Sequence, residues 1–68
     1  MKHELIMWWS EEDQEFLAEV PELPVCIADG KSREECLRNL DEAAALWVAA
    51  AKKHGREVPE PKGRLRYA

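Results

Sequence analysis

The sequence predicts an α+β domain in which one long helix covers one face of a small antiparallel sheet of three to four strands. Three observations carry this expectation. Residues 4–9 and 14–20 are apolar or alternating runs of strand length, joined by a short acidic turn. Residues 33–54 repeat apolar side chains at spacings of three and four, the period of a helix. Prolines and glycines at positions 21, 24, 30, 55, 59 and 61 punctuate the stretches between them.

The first run, "ELIMWW", points Leu5, Met7 and Trp9 to one face and Ile6 and Trp8 to the other, because neighbours on a strand alternate. "SEED", residues 10–13, is the turn. "QEFLAEV", residues 14–20, then places Phe16, Ala18 and Val20 on one face and Glu15, Leu17 and Glu19 on the other. So short a connection makes the pair an antiparallel hairpin. Pro21 and Pro24 donate no backbone N–H, so "PELP" reads as a bend. "VCIA", residues 25–28, is a third strand closed by the turn pair Asp29-Gly30.

The helix carries the clearest signals. Ser32 and Glu35 form an S-x-x-E capping box, in which each side chain satisfies a backbone N–H at the helix start. Cys36, Leu37, Leu40, Ala43, Ala44, Trp47, Ala50 and Ala51 make one apolar stripe. Lys52, Lys53 and His54 suit the negative end of the helix dipole, and Gly55 is the expected residue just past it. The helix is expected from about Arg33 to His54, roughly 33 Å at 1.5 Å per residue. Pro59 and Pro61 exclude helix beyond it. "RLRY", residues 64–67, alternates again and predicts a short fourth strand, so residues 1–68 read as one domain with a tail over 55–68.

A chain of 68 residues has a thin core, and domains below about 70–80 residues commonly need a staple, a metal or a partner chain. Cys26 and Cys36 are the only cysteines, too few with no clustered histidine for a zinc site, and no cofactor is expected. The apolar run after Lys2 falls short of the roughly 7–15 residues of a signal core, and no stretch approaches the about 20 that span a membrane. A reduced, cytoplasmic protein is expected, with both cysteines as small buried hydrophobes. Oligomerisation is the remedy left, as a dimer or tetramer. One helix covers one face, so the expected core is Leu5, Met7, Trp9, Phe16, Ala18, Leu40, Ala44 and Trp47. Ile6, Trp8 and Leu17 then form the expected oligomer interface, an apolar patch too large to leave bare.

Charge is divided along the chain. Residues 1–51 carry four bases against twelve acids, and residues 52–68 carry six bases against two. The acidic body argues against phosphate-driven nucleic-acid binding and for a basic protein partner. The basic tail supplies an alternative: an oligomeric module that binds RNA or another protein through residues 52–68. Catalysis is not expected. His3 and His54 lack motif neighbours, the acids Glu11, Glu12, Asp13 and Glu15 lack calcium-loop spacing, and Ser32 already caps a helix.

Three fragments in linked order carry a family resemblance. "WSEEDQEFLAEVPELPVC", residues 9–26, resembles the hairpin signature of the HicB-like antitoxins, an acidic turn followed by an aromatic residue, A-E-V-P and L-P-G-C. "DGKSREECLRNLDEAAALW", residues 29–47, is similar to that family's G-x-S/T-x-x-E-A and its helix ending E-A-x-x-x-W. "GREVPEP", residues 55–61, resembles the closing G-x-x-[IV]-P-x-P. Val25 departs from the usual glycine, and Cys36 from the frequent alanine. The resemblance implies a β-β-β-α-β, partial ribonuclease-H-like fold without catalytic acids. It also implies self-association and neutralisation of HicA-like, RNA-cleaving toxins. The DNA-binding domain of many such antitoxins has no counterpart in the seven residues after Pro61, which argues against DNA binding by this chain.

Overall fold

A computed structural model describes residues 1–63. The strands are β1 (Ile6–Ser10), β2 (Glu15–Glu19) and β3 (Ile27–Gly30), followed by the helix α1 (Arg33–Lys53). They form one antiparallel sheet in the order β1-β2-β3, an α+β architecture with the helix on one face. The expected fourth strand at residues 64–67 lies outside the described residues.

The register fixes both faces. Met7, Ala18 and Ala28 stand abreast, as do Trp9, Phe16 and Gly30, and these two rows face the helix. The buried core is Ala18, Val20, Leu23, Cys26, Cys36, Leu40 and Ala44, with Leu5, Met7, Phe16, Ala28, Ala43 and Trp47 half-buried against it. Trp9 corrects the sequence expectation. It is on the helix side, yet 42 % exposed. The helix packs on β3 and β2, while β1 is the edge strand farthest from it, so in-phase alternation gave the right side and the wrong depth. Trp9 packs edge-on against Phe16, with ring centroids 5.0 Å apart, and the Arg33 guanidinium sits 4.9 Å from the Phe16 centroid. Leu37 and Ala50, counted in the helix stripe, are exposed as well.

Asp29 and Gly30 belong to β3 rather than to a turn. A Cβ on Gly30 would lie 2.4 Å from the Cys36 backbone N and 2.8 Å from its Cα. The glycine is there because the helix backbone rests directly on the strand.

The segment between β2 and β3 is two consecutive turns. Leu23 N–H donates to Val20 O and Cys26 N–H to Leu23 O, each at 3.0 Å, and Val20 N–H closes the base on Cys26 O. In the second turn Pro24 holds position i+1 and Val25 holds i+2 at φ 66°. That is the arrangement of a type II turn, whose i+2 site favours glycine. A β-branched residue there is strained, and at 93 % exposure Val25 has no packing to offset it.

Helix termini follow the expected chemistry with one change. Glu35 N–H donates to Ser32 Oγ at 3.1 Å, but the Glu35 carboxylate accepts from Lys31 N–H, one residue ahead of the cap. At the other end His54 is the C-cap and Gly55 turns left-handed at φ 69°. Gly55 N–H donates to Lys52 O and Arg56 N–H to Ala51 O, the paired bonds of a Schellman motif. The chain then returns past residue 3 and the double turn: His3 Nε2 donates to Pro59 O at 2.6 Å, and Lys62 N–H donates to Glu22 Oε2 at 3.2 Å.

Candidate protein-binding surface

The face of the sheet away from the helix has no element over it among the described residues. Directly opposed residues of an antiparallel pair share a face, so its composition is read from the register. One row is Ile6, Glu19 and Ile27, and the next is Trp8, Leu17 and Asp29. Ser10 and Glu15 form the row beside the hairpin turn, where Glu15 pairs with Lys31 at 3.3 Å.

Ile6, Trp8 and Leu17, the residues singled out in the sequence, are therefore brought together. Ile6 and Leu17 are half-buried, while Trp8 is 40 % and Ile27 54 % exposed. The third strand adds Ile27 to this face, because the turn at Leu23–Cys26 turns Cys26 inward and so sends Ala28 and Gly30 to the core and Ile27 and Asp29 outward. Glu19 was visible from alternation alone, but its place between two isoleucines, and that of Asp29 beside Leu17, required the three-strand register.

This surface sets acidic side chains among apolar ones. Glu15, Glu19 and Asp29 contribute from the strands, and Glu11, Glu12 and Asp13 extend the negative field at the turn. The turn is held by its own bonds: Asp13 N–H donates to Ser10 Oγ at 3.1 Å, and Gln14 Nε2 to Glu11 O at 2.7 Å. Exposed isoleucine and indole surface grouped on one uncovered face makes it a candidate docking surface.

The remaining reactive groups have structural roles. Both thiols are free and buried. Burial raises the pKa of Cys26, and burial followed by the nearby carboxylates of Asp29, Glu15 and Glu35 raises that of Cys36. Protonated, buried thiols are poor nucleophiles. Trp47 Nε1 donates to Pro24 O at 2.8 Å, clamping the double turn to the helix, and Asn39 Nδ2 donates to Asp29 O at 2.8 Å, fixing the end of β3. Among the described residues no three His, Cys, Asp or Glu side chains are grouped to hold a metal ion, and no helix is long and apolar enough to cross a membrane.

Comparison with known proteins gives a family match. The model of the UPF0150-like family matches residues 8–59, a span that includes all of the sheet from Trp8 onward and the whole helix. The chain is 36 % identical over 59 residues to the UPF0150 protein Ta0767 of Thermoplasma acidophilum, covering 87 % of this chain and 84 % of that one. It is 39 % identical over 44 residues to the UPF0150 protein ssl0259 of Synechocystis sp., covering 65 % of this chain and 60 % of that relative. No solved structure matches the chain.

Proposed function

The chain belongs to the UPF0150-like family, and from that premise we propose that it is a HicB-like antitoxin, a cytoplasmic binding protein that neutralises a HicA-like RNA-cleaving toxin by covering it. The observation that carries this reading is the open sheet face, with Ile6, Trp8, Leu17 and Ile27 at its centre and Glu19 and Asp29 set among them. An enzyme that cleaves RNA must attract phosphates, so its working surface is basic. An apolar patch with acids set among it matches such a surface: the acids speed and orient the encounter, and the apolar side chains supply residence time. Trp8 is the expected anchor, since tryptophan dominates the energetics of interfaces where it becomes buried.

The same face was expected from the sequence to meet a second copy. The register favours the toxin instead, because two copies stacked through it would bring Glu19 and Asp29 against another acidic set. Neutralisation by occlusion requires no chemistry from the chain, in keeping with its buried, protonated thiols. The decisive experiment is to mix the protein with a HicA-like RNA-cleaving toxin and follow complex formation and RNA cleavage together. A stable complex with cleavage suppressed is expected; free toxin with undiminished cleavage at excess protein would refute the reading.

A further inference from the structure

We propose that Val25 is a toxin contact, an apolar knob that the double turn holds at the rim of the open sheet face. This rests on the toxin-binding reading of that face and adds to it a residue outside the strands. Val25 stands at φ 66° and is 93 % exposed. A left-handed backbone suits glycine or asparagine and strains a β-branched residue, so valine does not serve the turn. At that exposure it does not serve the core either. Strained residues persist where the surrounding structure holds them in place, and they gather at binding sites.

The surroundings do hold it. Val20 N–H donates to Cys26 O and Cys26 N–H to Leu23 O, each at 3.0 Å, closing the chain around Val25. Leu23 and Cys26, on either side of Pro24 and Val25, are buried, and the Trp47 indole bond to Pro24 O ties the turn to the helix. The position is also continuous with the open face. Cys26 points inward, while its two chain neighbours, Val25 and Ile27, are both open to water. Ile27 stands in the row of Ile6 and Glu19, and two residues of chain put the Val25 Cα within about 7 Å of the Ile27 Cα. Apolar surface thus continues past the end of β3. Valine has one side-chain torsion, stiffened by its branch, and here it sits on a backbone already fixed. Docking it orders almost nothing, so the contact keeps most of what its burial supplies. Its counterpart is an apolar hollow at the edge of the toxin's basic surface, shaped for a branched aliphatic group. The turn gives up stability for that contact.

The test is calorimetric titration of a HicA-like toxin with the full native chain, Val25→Gly, Val25→Asn, Val25→Ile and Trp8→Ala, beside the melting temperature of each. Val25→Gly is expected to melt higher than the native chain and to bind about tenfold more weakly. A residue that only shapes the turn would not move stability and affinity in opposite directions. Val25→Asn also suits the left-handed backbone but is polar, and it is expected to weaken binding as Val25→Gly does. Val25→Ile keeps the branched aliphatic group and with it the native affinity. Native affinity in Val25→Gly, with Trp8→Ala weakened, would overturn this contact and leave the reading of the sheet face standing. Weakening by Val25→Gly but not by Val25→Asn would overturn it too, by tracing the loss to a loosened turn. A native chain that does not bind the toxin would remove the reading and this contact together.

Discussion

The double turn between β2 and β3 and the first strand exchange the places their compositions suggest. "VPELPVC" has two prolines and a carboxylate, yet Val20, Leu23 and Cys26 are only 2, 1 and 3 % exposed. "IMWWS" contains two of the three tryptophans, yet Trp8 and Trp9 are 40 and 42 % exposed. Each turn of the first segment returns an apolar residue to the same side, three positions apart, under a helix clamped by the Trp47 bond. The strand lies at the sheet edge the helix does not reach. Burial here follows from where the helix lands, and apolar surface beyond its reach stays exposed.

The widest gap between the two regions should appear in stability. Leu23→Ala opens a cavity under the helix and is expected to cost about 3 kcal/mol by denaturant unfolding. Trp8→Ala, the larger truncation, should cost under about 1 kcal/mol because its surroundings are already open. Equal losses would contradict the contrast. Gly30→Ala sharpens it from the helix side: its Cβ has no room against the Cys36 backbone, and a loss of about 2 kcal/mol is expected in the same assay.

Two smaller effects probe the buried turn itself. Val25→Gly relieves a left-handed β-branched residue, whose strain of about 1–2 kcal/mol exceeds the entropy glycine adds. A net gain of about 1 kcal/mol is expected, raising the melting temperature by roughly 4–8 °C; a lower melting temperature would refute the turn assignment. The thiols give the smallest signal. The folded chain keeps thiol protons that the unfolded chain releases above the ordinary value of 9.0. Their contribution is thus complete below that pH and is lost as pH rises past it. Thermal unfolding between pH 8 and pH 10.5, compared with Cys26→Ala and Cys36→Ala, is expected to show a shallower alkaline decline in the variants.

Much of this architecture was legible in the residues. Ser32, Glu35 and Gly55 marked the helix ends to within a residue, because caps are local chemistry, and alternation placed Leu17 and Phe16 on opposite faces. What escaped depended on distant partners. Gly30 read as a turn residue because a turn and a tight helix contact ask for the same missing side chain. The third strand began two residues late because Val25 and Cys26 complete a turn whose bonds are set by Leu23. The depth of Trp9 and the acids among the apolar residues of the open face became visible only with strand order and helix placement. Two homologous names define a family, but the chemistry of the face has to be read from the register.

The central claim is that the open face binds a partner without supporting the fold. Its most direct test is one titration of a HicA-like RNA-cleaving toxin with native protein and with Trp8→Ala, by calorimetry, beside the melting temperature of each. The account predicts nearly equal melting temperatures and affinity for the toxin lowered by about 2 kcal/mol, roughly 30-fold. Unchanged affinity, or affinity lost only in step with stability, would contradict it.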